Sequence, residues 1–109
     1  MITLEEYRVL ALSLTDTVEL PHFDNPSFRV KKKIFATYWI KDNRAMVNLS
    51  PVDQSVFCSI DKTVFFLVPG VWGKQGATFV ELAKVRKDIF EDALTTAYHY
   101  VAGTKELST

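Results

Sequence analysis

Four cations fall within the five positions 29–33, as Arg29, Lys31, Lys32 and Lys33. Strand-forming Phe28 and Val30 precede the lysines, and Ile34, Phe35 and Ala36 follow them, so the cluster reads as a hairpin tip. Such a tip can contact phosphates, in binding that weakens steeply as salt rises. The plainer alternative is a solvated hairpin end, whose charge keeps it from pairing edge to edge with another sheet. A second small cluster is Lys84, Arg86 and Lys87. It adds to a polyanion site only if folding puts it on the same surface, and Lys87 sits just before a helix start, where a cation is unfavourable. Trp72 and Lys74 lie in a glycine-rich stretch and are candidates for secondary contacts with a partner.

Other chemistry is sparser. His22 with Asp24 or Glu19 offers a fragment of a general-base arrangement, although a lone, partly buried histidine is the plainer reading. His99 has Thr95 and Gly103 at i±4 and is expected at the surface. Cys58 is the one cysteine, and it reads as a half-buried thiol because no Cys–His pairing is visible. The glycines at 70, 73 and 76 match neither a phosphate loop nor a dinucleotide fingerprint, and they lead into a strand rather than a helix. These observations point to a binding module rather than an enzyme, without cofactor or metal.

The elements that must position these residues follow from local pattern. Thr3-Leu4-Glu5-Glu6 is a capping box, predicting a helix to about Leu14 with Leu4, Tyr7, Leu10, Ala11 and Leu14 on its buried stripe. Segments Thr17 to Phe23, broken at Pro21, and Ser27 to Val30 come next. Ile34 to Ile40 is the strongest strand, dense in β-branched and aromatic residues. Asp42-Asn43 turns it into Arg44 to Leu49. Tyr38 and Trp39 must point to opposite faces, one to the core and one to an open aromatic face. Ser50-Pro51 starts a short helix to about Ile60, expected to bury Val52 and Val56, with Phe57 or Ile60 as a further inward candidate. Thr63 to Val68 and Thr78 to Val85 are strands flanking a loop at 69–76. Asp88, with Glu91 as box partner, is expected to cap a last helix that ends at Gly103.

The order α-β-β-β-β-α-β-β-α predicts an α+β fold, an antiparallel sheet flanked by helices, in a single domain over residues 1–109. Hydrophobic residues at 48% and charged residues at 24% fit a globular chain rather than a disordered one. Thirteen basic residues balance 13 acidic ones, which argues against a protein that grips DNA over its whole surface. The longest apolar run is the five residues Val64 to Val68, too short to span a bilayer. The start, Met1 to Glu6, lacks the pattern of a signal peptide. With one cysteine, a reducing, cytoplasmic setting is the expectation.

Pro21-His22-Phe23, then Phe28-Arg29-Val30-Lys31-Lys32-Lys33-Ile34-Phe35-Ala36, then Gly73 to Leu82 and finally Ala97-Tyr98 stand in this order. Together they resemble the MmcQ/YjbR-like family of small bacterial proteins, whose pattern is a Pro–aromatic segment, a Phe-x-Val-x-Gly-Lys-x-Phe-Ala hairpin, a glycine-rich loop, a Trp-Thr-type strand and a final helix. The resemblance implies a compact α+β fold like a double-wing DNA-binding arrangement, and DNA as partner. Arg29, Lys31, Lys32 and Lys33 would then contact phosphates, with Trp72, Lys74, Lys84 and Arg86 as further candidates. No base-reading helix is evident. The alternative is a small-molecule or protein-interaction domain using the groove beside loop 69–76. Two departures stand out. Lys32 replaces the family's glycine, so either the turn is wide or Lys32 takes positive φ at a cost of about 1 kcal/mol. Ala77 replaces the tryptophan, which leaves a smaller platform on that strand.

Overall fold

Thr3 and Glu6 cap each other: Thr3 Oγ1 accepts from the Glu6 N–H at 3.1 Å, and Glu6 Oε1 accepts from the Thr3 N–H at 3.2 Å. The bond from the Thr3 N–H, above all, holds the Glu6 carboxyl below the usual range. In the computed structural model, which describes residues 1–103, the two bonds open α1 (Leu4–Leu12). Then come β1 (Val18–His22), β2 (Asn25–Val30), β3 (Lys33–Trp39), β4 (Arg44–Asn48) and α2 (Pro51–Ile60). The chain continues through β5 (Phe65–Leu67), α3 (Val71–Lys74), β6 (Ala77–Glu81) and α4 (Lys87–Ala102). All strand pairs are antiparallel in one six-stranded sheet, ordered β1-β2-β3-β4-β6-β5. The fold is therefore α+β, an antiparallel sheet with helices, as the residue pattern predicts.

The helices α1 and α4 cover one face. Tyr7 is fully buried there, with its ring 5.0 Å from those of Phe28 and Phe90. Its hydroxyl donates to the Thr37 carbonyl at 2.7 Å, which satisfies the one polar atom such a site would penalise. Burial pushes the Tyr7 phenol well above its ordinary pKa. Phe35 packs edge-on to Tyr98 of α4 at 5.6 Å, and the Tyr98 hydroxyl donates to the Thr15 carbonyl.

An irregularity in β3 decides what the opposite face carries. Phe28 pairs with Ala36 and Arg29 with Ile34, so Phe35 is an extra residue, a β-bulge. Phe35 and Ala36 both enter the helix-side core. The alternation is thereby shifted, and Ile34, Thr37 and Trp39 all reach the uncovered face. Tyr38 goes to the core beside Tyr7 while Trp39 goes to the open side, which resolves the choice left by the sequence.

Several local expectations are corrected. Loop 69–76 contains a helical turn, α3, rather than coil throughout. Helix α2 buries Gln54 and Phe57, whereas Val52 and Val56 are exposed, because its sheet-facing side is chosen by the buried amide contacts of Gln54 rather than by the valines. Helix α4 starts at Lys87, with Arg86 at the N-cap; the Asp88 carboxylate instead receives the Ile89 N–H and the Arg86 guanidinium. Pro21 does not break β1, because this is an edge strand where a missing N–H costs no ladder bond. Strand β6 ends at Glu81, whose carbonyl takes the N–H groups of Lys84 and Val85 in a turn.

Candidate functional site

The uncovered face of the sheet is aromatic. Trp39 lies edge-on to Phe79 at 5.0 Å, and Phe79 contacts Phe66 at 5.8 Å. The Arg44 guanidinium stands 5.1 Å above Phe66 and 5.5 Å above Phe79 while pairing with Glu81 at 3.2 Å. Arg44 and Glu81 are cross-strand partners on this face, so that end is closed by an internally neutral pair.

Between this cluster and the β1–β2 turn lies a cavity of about 560 Å³. Its floor is Ile34, Thr37, Met46, Asn48 and Ala77, from β3, β4 and β6. Its walls are Trp39, Trp72, Val68, His22, Phe23 and Asn25. Trp39 donates its indole N–H to Thr37 Oγ1 at 3.0 Å, and Asn48 donates to the Ile34 carbonyl at 3.0 Å, so both floor groups are held in place. Phe23 and Trp72, which stand above the floor, are 89% and 71% exposed. Phe23 is held at φ +58°, a left-handed conformation that disfavours a bulky side chain.

A second cavity, about 460 Å³, adjoins the first and shares Ile34, Asn48, Trp72 and Ala77 with it. Lys33, Gln75, Tyr100 and Val101 complete its lining. Among the described residues, no carboxylate lines either cavity. Asp24 and Glu19 line a further depression that shares Phe23 and Asn25 with the first cavity, and Glu19 is already paired with Arg8 at 2.6 Å.

Trp72 owes its position to a tightly built support. Gln54, buried in α2, donates its side-chain amide to the carbonyls of Gly73 (2.9 Å) and Ala77 (3.3 Å) and to Thr78 Oγ1 (3.1 Å). A Cβ on Gly73 would lie 1.9 Å from the Val68 carbonyl oxygen. One on Gly76, at φ +114°, would lie 1.9 Å from the Leu49 oxygen. Gly73 therefore lets α3 lie against the end of β5, and Gly76 lets the α3–β6 turn lie against Leu49, just past β4.

The eight candidates from the sequence separate into groups. Lys33 and Trp72 meet at the second cavity. Lys31 donates its ammonium to the Ala102 carbonyl at 2.8 Å, closing the C-terminal end of α4. Arg29 donates to Ser27 Oγ (3.1 Å) and to the Pro21 carbonyl (3.3 Å). Lys31 and Lys32 form a two-residue turn at φ +52° and +68°, so Lys32 does take the positive φ of the family glycine it replaces. Lys74 is exposed at the end of α3. Lys84 is exposed and draws down the Asp61 carboxyl, which is lowered mainly by its bonds from Thr63; Arg86 pairs with Asp88 at 2.9 Å. The strand register puts Lys33 near the Asn48–Ala77 end of the sheet and Lys84 and Arg86 beyond the Arg44–Glu81 end. The two cationic clusters do not merge.

Among the described residues, no group of three His, Cys, Asp or Glu side chains is placed to hold a metal ion. Cys58 is half-buried, and burial raises its thiol pKa, away from the thiolate a nucleophile needs. His22 contacts the Phe23 ring at 4.7 Å and makes no hydrogen bond to Asp24 or Glu19. Most of the groove floor, Thr37, Met46 and Asn48 among it, escaped sequence reasoning. The β4 alternation carried a usable signal, but the bulge in β3 did not.

No helix among the described residues is long and apolar enough to cross a membrane. No curated protein matches the sequence. The fold is similar to the crystal structure of Deinococcus radiodurans protein DR2400, a DUF419 domain, with a TM-score of 0.80 and 19% identity, over 97% of this chain and 84% of that one. A family model described as YjbR matches residues 12–100, a span that includes the basic hairpin, the glycine loop with Trp72 and most of α4. The chain thus belongs to the YjbR family.

Proposed function

We propose that this protein is a non-enzymatic binding module that takes a small-molecule ligand into the groove on the open face of its sheet. One observation carries the reading: an aromatic cavity of about 560 Å³ whose two most prominent walls, Phe23 and Trp72, are large apolar side chains left in solvent. Its size falls in the range of ligand sites, roughly 300–1,000 Å³, and its lining is mostly apolar with few polar groups. Phe23 supports it further. A bulky residue held in a left-handed conformation costs about 1–2 kcal/mol, and such strain is concentrated at functional sites. Among the described residues, the lining offers His22 without a carboxylate or thiol beside it, which suits binding better than acid–base or covalent chemistry.

Thermal-shift screening of a metabolite panel tests the reading, with nuclear magnetic resonance of the two indole N–H groups as readout. Hits should move the Trp39 and Trp72 signals and lose their effect in Trp72→Ala. Hits that leave both signals unmoved count against the groove.

Duplex DNA is the second reading, favoured by Lys32, Lys33 and Lys74, which have no carboxylate partner among the described residues. Three phosphate contacts predict a log–log salt slope no steeper than about −2.7, at about −0.9 for each. Fluorescence titration with a labelled duplex at low and high salt measures it. Lys33→Ala should flatten the slope by about one contact. Absence of binding at low salt removes this reading.

A further inference from the structure

We infer that the groove's ligand is a small amphipathic anion, with an aryl or alkyl body in the aromatic cavity and a carboxylate or phosphate beside Lys33. The inference rests on the groove reading above and specifies what the groove selects. It follows from charge as much as from shape. Among the described residues no carboxylate lines either cavity, and the cation that does is Lys33. The two cavities share Trp72 and the floor residues Ile34, Asn48 and Ala77, so one molecule can lie in both. Its apolar part would then meet Trp39, Met46 and Phe23, and its head would reach the polar end near Gln75.

Lys33 is available for this. The carbonyl at the end of α4 is taken by Lys31, two residues away, and no carboxylate partner engages Lys33 among the described residues. An ammonium at the mouth of a low-dielectric apolar groove attracts an anion more strongly than the same group in open solvent. The indole of Trp72, shared by the two cavities, offers a face for an aryl group.

Calorimetric titration of the whole chain with three probes tests the inference: 2-naphthoate, 2-naphthyl phosphate and the neutral 2-naphthamide. The two acids separate a carboxylate from a phosphate preference. At least one acid should bind about tenfold more tightly than the amide, the size expected of one charge-assisted contact. Lys33→Gln should abolish that difference while leaving the amide's affinity unchanged. Trp72→Ala should weaken all three, and Lys62→Gln, a cation on the α2–β5 turn, should change none. Both groove variants alter exposed side chains, and their melting temperatures verify folding. Equal affinities of acids and amide, or a difference that survives Lys33→Gln, would overturn the anionic assignment and leave the groove reading standing. If no probe binds and the Trp39 and Trp72 indole signals stay unmoved, both fall.

Discussion

Phe23 sets fold stability against binding within one side chain. Its ring is almost wholly exposed, so it contributes little burial, and its backbone is left-handed, so it costs conformational energy. Asparagine tolerates that conformation far better. Phe23→Asn should therefore stabilise the protein by about 1 kcal/mol in urea unfolding while weakening any groove ligand. A destabilised variant would show that the ring is a packing residue. Tyr7 is the opposite case, a ring whose contacts are all structural. Its phenol keeps its proton in the fold well above the ordinary value, near 10. Above that pH the unfolded chain releases the proton and the folded chain does not, so stability is complete below about pH 10 and falls as pH rises through it. Tyr7→Phe should cost about 1–3 kcal/mol at neutral pH by removing the buried hydrogen bond to the Thr37 carbonyl. It should also shrink the loss of stability between about pH 8 and pH 11, and urea melts at the two values compare the slopes. An unchanged slope would mean that Tyr7 ionises freely in the fold.

At the scale of elements, the support beneath Trp72 is where side-chain size and backbone geometry meet. Gly76→Ala would bring a Cβ against the Leu49 carbonyl at a φ that L-residues avoid. The expected cost is about 3 kcal/mol, seen as a lowered melting temperature, with the Trp72 indole signal displaced. A melting point equal to that of the parent would mean that this approach relaxes without consequence. The elements themselves were largely legible. The Thr3–Glu6 cap, the Ser50-Pro51 start and the Gly103 stop are local signals, and each lies where its side chain or backbone geometry requires. The failures were those of tertiary override. Val52 and Val56 looked like a buried stripe, yet Gln54 forms the inward contact, because three acceptors from α3 and β6 converge on its amide. No periodicity announces such a convergence. Likewise the hairpin lysines were visible as a cluster, but only the fold shows that Lys31 is tied to α4 while Lys33 lines a cavity.

For the molecule as a whole, the sheet carries two unlike faces. The helix-covered side holds the main core, and the other has a smaller cluster around Phe79 whose rings border the groove. Stability should be graded from the centre of the sheet outwards. Strands β3 and β4 are paired on both sides, whereas β1 and β5 lie at the edges. Native-state amide exchange should be slowest in β3 and β4 and fastest in β1 and β5. Early exchange of β4 would contradict this order. The neutral overall charge was plain from composition, and it fits a surface whose Arg8, Arg44 and Arg86 are each matched by a carboxylate. The concave aromatic face was foreshadowed only by the necessary split of Tyr38 and Trp39. Ala77 and Phe79 of β6 join it only through the long-range β4–β6 pairing, which no local pattern encodes.

The inserted residue in β3 changes the parity of the strand. Before Phe35, the even-numbered Ile34 belongs to the groove; after it, the odd-numbered Thr37 and Trp39 do. A relative whose hairpin lacks the insertion would reverse that assignment for every position up to the tip. Superposing two such chains by simple counting would exchange lining residues for core residues, and a one-residue gap at Phe35 restores the correspondence.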